Sequence, residues 1–417
     1  MPPMVWDPQT TAVVVIFGMV YGGMLLGGLP WLRLDRTGVA LLGAIAIVGL
    51  GELSVQEAAM GMHLPTLLLL FSFMVISAQM RLGGFYAALT RRIAALPLAP
   101  AGLLGVVIFT SGALSAVFSN DIVCLATATA PVLVHACLAR RLDPVPFLLA
   151  LACASNIGSA ATLIGNPQNM LIGEVLQLPF AGYLRDALPP VLAGLALLWA
   201  MLARSAGPVA ALVPPPVNDD AAPPFDAWQT AKGLTVAAVL MGVFLFTDWP
   251  RDVAALVGAG VLLLSQRLHS SQVMGLVDWE LLVLFMGLFV VNHALQHTGV
   301  TAQTLAWLQA QGLHLGEPGP LFAGTLLLSN LVSNVPAVML LLPVGTGADV
   351  PQAGLVLALV STLAGNLLIV GSIANIIVVD AARRQGIIID WKRHARTGIP
   401  VTVATLSITA AWLAWLH

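Results

Sequence analysis

The sequence predicts an all-α integral membrane protein built as two inverted repeats, each with five transmembrane helices, one of them broken, and one re-entrant hairpin. Composition is the first reason. The 417 residues are 59% apolar and only 9% charged, with a mean hydropathy of +0.94, whereas a soluble domain carries about 25% charged residues. Two soluble domains of ~200 residues, which length alone would allow, are excluded. The second reason is the stretch Ser155–Asn169, SNIGSAATLIGNPQN, which breaks an apolar segment running from Pro146 to Ile172. The third is a related stretch at Ser361–Asn375, STLAGNLLIVGSIAN, which sets Ser361 over Ser155, Gly371 over Gly165 and Asn375 over Asn169.

In hydrocarbon every backbone N–H and C=O needs a partner, so a Gly/Asn/Pro-rich break survives only inside protein or beside a water-filled cavity. It leaves half-helices whose ends can hold an ion or a polar solute. Two such breaks at corresponding places point to one shared polar chamber.

Apolar runs near or above ~18 residues are candidate spans. In order they fall at 11–30, 37–50, 64–81, 146–175 (broken) and 187–204, then 232–248, 252–266, 279–297, 352–380 (broken) and 398–416. An amphipathic piece follows the third span of each half, Phe85–Leu96 and Thr301–Gln311. Each piece leads into two apolar arms that meet at a polar tip: 101–118 with 122–139, and 319–332 with 335–344. The second pair is too short to cross ~30 Å twice, so both pairs read as hairpins. The first repeat is then 1–204, the second 231–417, and the Pro-rich segment 205–230, containing VPPPVNDDAAPPF, is a flexible cytoplasmic linker.

The halves also match in sequence. LLLLFSFMVIS at 67–77 aligns with LLVLFMGLFVV at 281–291, and Ser119-Asn120 aligns with Ser333-Asn334 at the same offset. Five crossings per half turn the second copy upside down. Loop charge agrees. With both termini periplasmic, every one of the 17 basic residues except Arg185 and Arg251 falls on the cytoplasmic side. Reading either hairpin as two spans would destroy that bias.

The N-terminus MPPMVWDPQT has no basic region before the first apolar run and reads as a retained helix. Cys124, Cys137 and Cys153 lie in apolar runs and read as small hydrophobes. No CxxC pair or His/Cys cluster suggests a metal site or a disulfide framework.

The first tip, SAVFSNDIVCL at 115–125, holds Asp121, the one carboxylate placed deep in the membrane. An ionised group there costs at least ~2.5 kcal/mol, so it faces a cavity, pairs, or is protonated. Asp121 can load and release a proton, or cap the helix beginning at Ile122; the two roles are compatible. Ser119 and Asn120 can coordinate a cation by oxygen or donate to an oxyanion. In the second tip, LVSNVPAVML, Ser333 and Asn334 offer the same groups, and Pro336 fits the first turn of the returning helix. Asn156, Thr162, Asn166, Gln168 and Asn169 can line the first break, where Gly158 and Gly165 permit close backbone approach. Ser361, Thr362, Asn366, Gly371, Ser372 and Asn375 are their counterparts. His135 and His293 read as packing residues, and Glu174 and Asp380 as water-facing groups at span ends.

At FSND (118–121), SNIGSAATLIGNPQN (155–169), VSNVPAVML (332–340) and the Gly371/Asn375 region, the chain resembles the ion transporter superfamily. That group includes arsenite permeases, sodium–proton antiporters of the D type, the melanosomal P protein and the citrate and dicarboxylate transporters. The dicarboxylate branch carries Ser-Asn-Thr at both tips. Here Asp121 and Val335 take the third positions, closer to the arsenite-permease side, and GNPQN is similar to bacterial anion permeases. The resemblance implies an elevator-type secondary transporter and not an enzyme. It implies a small anion or oxyacid as solute, H+ or Na+ as coupling ion, and a multi-pass homodimer in the bacterial inner membrane. It implies no cofactor or nucleic-acid partner, and no metal beyond a sodium ion near Asn120 and Asp121. A sodium–proton antiporter without an anion substrate, a passive channel and an intramembrane enzyme remain as alternatives. The last lacks GxSG, HExxH or paired intramembrane acids.

Overall fold

The computed structural model describes residues 7–29, 32–128, 132–207, 224–346 and 352–416. The Pro-rich middle of the linker, 208–223, and the first six residues lie outside them. The chain opens with α1 (Pro8–Leu26), capped by Asp7 and ended by Gly27 in the left-handed region at φ 80°, a conformation that suits glycine. One small departure from an all-α chain follows. Gly28–Leu29 (β1) pairs antiparallel with Leu34–Asp35 (β2). Two-residue strands have no readable period, and it is the positive φ of Gly27 and Gly28 that turns the chain back.

Then come α2 (Arg36–Gly49), α3 (Val55–Gly61), α4 (Leu64–Leu82), α5 (Phe85–Ala95), α6 (Pro100–Val117), α7 (Asn120–Ala128) and α8 (Val132–Ala139). α9 (Pro144–Ser159) and α10 (Pro167–Val175) are the halves of the first broken segment. They lead to α11 (Phe180–Leu202), α12 (Ala227–Phe246), α13 (Arg251–Leu263), α14 (Ser270–Met274), α15 (Trp279–His297) and α16 (Val300–Ala310). α17 (Pro318–Val332) and α18 (Asn334–Gly345) form a helical hairpin. The second broken segment is α19 (Ala353–Ala364), a 3-10 turn at Ile369–Gly371, and α20 (Ile373–Arg384). α21 (Trp391–Trp415) closes the chain. Among the described residues, seven helices (α1, α4, α6, α11, α12, α15 and α21) are long and apolar enough to cross a membrane. α3 and α14 were not expected; α3 owes its start to a reciprocal Ser54/Glu57 cap.

By packing, the chain divides into two compact units, 1–67 with 278–357, and 68–277 with 358–417. In the first, α2 packs along α15, and Gly287 lets the backbone of α15 approach that of α2 at Ala40. The buried Tyr21 joins three elements of this unit. Asn292 Nδ2 donates to its hydroxyl oxygen at 2.9 Å, and the hydroxyl donates to the Pro336 carbonyl at 3.4 Å.

In the second unit, α6 packs along α9, α11 along α21, and α20 against α7 and α9. At Gly158 the backbones of α9 and α6 meet so closely that a Cβ would collide with Gly112. Every residue of α9 is buried, and so is every residue of the first break, 160–166. Water has no access there, so each polar group needs an internal partner. Glu174 differs from expectation. It does not face water but is 7% exposed and pairs with Arg251 at 2.9 Å. Arg251 also donates to the carbonyls of Gly173 at 2.7 Å and Leu178 at 3.1 Å. The end of α10 thus receives a cation where its free carbonyls and dipole favour one.

Candidate functional site

The GNPQN run builds the site from its local chemistry. Asn166 is extended and caps α10, its Oδ1 accepting from Asn169 N at 2.9 Å, and Pro167 takes the first helical position, where no N–H is needed. Asn169 Nδ2 in turn donates to the Thr162 carbonyl at 3.1 Å inside the break. Tyr183 of α11 closes the same break by donating to the Ala160 carbonyl at 2.8 Å. The freed backbone is thus satisfied by side chains.

Asn156 is the hub. Its Oδ1 accepts from Asn120 Nδ2 at 3.0 Å and from Ser372 Oγ at 2.9 Å. Its Nδ2 donates to Asn366 Oδ1 at 2.9 Å and to Asn375 Oδ1 at 3.2 Å. Four side chains from the first hairpin tip and the second broken segment therefore converge on one buried amide of the first. Each such bond is worth ~0.5–1.5 kcal/mol net, and removing one partner orphans the other at ~1–3 kcal/mol.

The first tip is tied in by its backbone as well. Asn120 N donates to the Gly165 carbonyl at 3.1 Å, and Ser155 Oγ donates to the Asn120 carbonyl at 3.0 Å. Gly165 has no room for a side chain, because a Cβ would strike the Ser159 carbonyl. A second knot joins the two broken segments: Asn166 Nδ2 donates to Thr362 Oγ1 at 3.1 Å, and Thr362 Oγ1 donates to Asn169 Oδ1 at 3.3 Å. Asn375 Nδ2 caps the second break, donating to the carbonyls of Gly365 at 2.8 Å and Leu368 at 3.1 Å. Two atoms of this buried network have no hydrogen-bond partner, the acceptor Asn120 Oδ1 and the donor Asn366 Nδ2. They belong to two of the four residues bonded to the Asn156 amide.

Of the residues singled out in the sequence, Asn120, Asn156, Thr162, Gly165, Asn166, Gln168, Asn169, Thr362, Asn366, Ser372 and Asn375 are brought together in this unit. Asp121 lies in the first turn of α7, where the helix dipole favours a negative charge, with Ser119 just before it. Gly158 serves the crossing with α6, and Ser361 Oγ turns back to the Ala358 carbonyl of its own helix at 3.4 Å. Gly371 ends the 3-10 turn in the second break. Ser333 and Asn334 lie in the other unit, at the turn between α17 and α18. Among the described residues no group of three or more His, Cys, Asp or Glu side chains could hold a metal ion, and the three cysteines are free and buried.

The profile of the citrate transporter family, CitMHS, matches residues 13–364. The chain belongs to that family. An uncharacterized transporter of Mycobacterium tuberculosis is 30% identical over 418 residues, covering 92% of this chain and 94% of the relative. The silicon efflux transporter LSI3 of Oryza sativa subsp. japonica is 28% identical over 478 residues, covering 96% and 97%. The crystal structure of the Alcanivorax borkumensis YdaH transporter superposes with a TM-score of 0.59 over 98% of each chain at 14% identity, a likeness of fold alone.

Sequence reasoning missed several parts of this transporter's network. Ser115 bonds Ser155 at 2.6 Å, Ser159 receives Asn166 Nδ2 at 3.0 Å, and Tyr183 and His394 reach the two breaks from α11 and α21. Ser115 follows Ser111 on α6 and Ser159 follows Ser155 on α9, each at the i,i+4 spacing that could have marked a polar helix face. Tyr183 and His394 carry no local signal.

Proposed function

We propose that this membrane transporter of the citrate transporter family is a secondary active carrier of a small anion or oxyacid, coupled to H+ or Na+. In this reading the solute binds where the first hairpin tip meets the two broken segments. The supporting observation is the Asn156 hub with its unpaired neighbours, Asn120 Oδ1 and Asn366 Nδ2. A buried donor and a buried acceptor without partners cost ~1–3 kcal/mol each, which a solute oxygen and a cation would recover. Half-helix N-termini at α7, α10 and α20 add positive potential for an anion. A relative named for silicon efflux supports an oxyacid substrate.

Asp121 carries the coupling charge. A fixed carboxylate repels an anion unless a proton or sodium ion neutralises it, so solute binds after the coupling ion. Ser119, Ser361 and Gly371 complete the proposed site, with sodium, where it is the coupling ion, held near Asn120 and Asp121. Ten spans, two re-entrant hairpins, inverted repeats, periplasmic termini, a homodimer and elevator-type movement belong to the same reading, supported by the repeated motifs and the loop charge.

Purified protein in proteoliposomes tests it with labelled citrate, phosphate, arsenite and silicic acid under imposed H+ and Na+ gradients. Gradient-driven accumulation of at least one solute is expected for the wild type, and its loss in Asp121→Asn. Wild-type accumulation by Asp121→Asn would refute the coupling role. Sodium-driven proton movement with no anion added would favour the antiporter instead.

A further inference from the structure

His394 occupies an unusual place. It lies one turn into α21, is 1% exposed, and its Nε2 sits 3.2 Å from the main-chain carbonyl of Asn366. A carbonyl can only accept, so Nε2 carries the hydrogen and Nδ1 is left as a bare acceptor. That Nδ1 is buried without a hydrogen-bond partner. One turn on, Gly398 has no side chain because a Cβ there would collide with the Asn366 carbonyl and crowd the imidazole. Gly398 and His394 together seat α21 directly on the second break.

The residue so held is the one whose Oδ1 takes the bond from Asn156 and whose Nδ2 is unpaired. Nearby charges are already engaged or point to solvent. Asp143, which caps α9, pairs with Arg393 at 2.9 Å. Asp390 caps α21 by accepting from Arg393 N at 2.7 Å. Asp380 of α20 pairs with Arg384 at 2.8 Å, and Lys392 lies over the Trp391 ring. Arg383 of α20, Arg396 of α21 and Arg204 beyond α11 are exposed, and Arg185 pairs with Asp186 at the far end of α11. None of these groups is hydrogen-bonded or ion-paired to the imidazole.

We propose that His394 is a proton-binding residue of the transport cycle, taking a proton at Nδ1 when an anion fills the break at Asn366. This rests on the site reading above and adds a named carrier to it. The proton enters the bare Nδ1 lone pair while the Nε2 hydrogen stays on the Asn366 carbonyl, giving an imidazolium. A buried imidazolium with no counter-ion is costly, and an anion held by the Asn366 amide supplies that counter-ion. The coupling is reciprocal: protonation tightens anion binding by the same factor by which the anion favours protonation. The proton leaves from Nδ1 when the anion does.

Two measurements test this. His394→Gln keeps an amide donor for the Asn366 carbonyl and cannot take a proton. In proteoliposomes with labelled citrate or phosphate, the rise in solute counterflow that protonation of His394 gives the wild type between about pH 8.5 and pH 5 is expected to be absent from this variant. Accumulation driven by a pH gradient of either direction should fall at least tenfold. Wild-type accumulation by His394→Gln overturns the proposal. Should the wild type move none of these probes, the transport reading above is what fails, and the second measurement still decides His394. Wild-type protein in lipid bilayers, labelled with 13C-carbonyl asparagine and 15N histidine, identifies His394 by its Nε2 contact to the Asn366 carbonyl without any variant. Its ring is expected to be the neutral Nε2–H form at about pH 8.5, and at about pH 5 to be doubly protonated with citrate or phosphate added but neutral without an anion. A ring that stays neutral throughout, or carries its hydrogen on Nδ1 at high pH, overturns the proposal.

Discussion

Ser119-Asn120 and Ser333-Asn334 are the same dipeptide at two turns between helices, α6 to α7 and α17 to α18, yet their settings differ. Asn120 is 5% exposed, and both its main-chain N–H and its side-chain amide bond the first broken segment. Ser333 is held at φ 77° and ψ 160°, a region that only glycine adopts without strain, and Asn334 Oδ1 has no hydrogen-bond partner. The first tip is locked by its neighbours, while the second stores strain within its own unit. A repeated motif therefore marks where a helix restarts, and packing decides what the restart does. In the reading proposed here the locked tip sets the geometry of the binding network, and the strained tip is the better candidate for movement.

The largest effect is expected away from both tips, at the hub that locks the first. Asn156→Ala removes four side-chain bonds and orphans Asn120, Asn366, Asn375 and Ser372. A loss of several kcal/mol follows, with a clear fall in the thermal midpoint of the detergent-purified protein. Next, Asn120→Ala should cost ~1–3 kcal/mol, and Asn334→Ala markedly less. Equal losses at the two tips would break the contrast. Gly158→Ala should cost ~1–3 kcal/mol through its collision with Gly112, read as a lowered midpoint. The smallest effect sharpens the comparison: Ser333→Gly should leave the midpoint unchanged or raise it, since relief of ~1–3 kcal/mol of strain offsets the entropy of glycine. A clear drop would show that Ser333 is not strained.

Most of the helical layout was legible because apolar runs and Gly/Pro/Asn punctuation are local signals. The expected break at 155–169 appears as α9, a buried turn and α10, and the one at 361–375 as α19, a 3-10 turn and α20. What stayed hidden was set by contacts distant in sequence. Glu174 looked like an interfacial carboxylate because its partner, Arg251, follows 77 positions later. His394 lay in a basic stretch that charge counting explained fully, so nothing local marked it as the neighbour of Asn366. Gly158 read as room for a close approach, but its neighbour could not be named, since only packing identifies it as Gly112 of α6. Residue type predicted which side chains are polar and placed near a break; partner identity needed the fold.

Solute-dependent thermal stabilisation tests the proposed binding network most directly, with citrate, phosphate, arsenite and silicic acid each added to the purified wild type and to Asn156→Ala. A solute that binds only the folded state stabilises it by RT ln(1 + [L]/Kd), so the midpoint keeps rising with solute concentration. At least one of the four is expected to stabilise the wild type and to have no effect on Asn156→Ala. Equal stabilisation of both proteins would place the solute elsewhere and contradict the site proposed here.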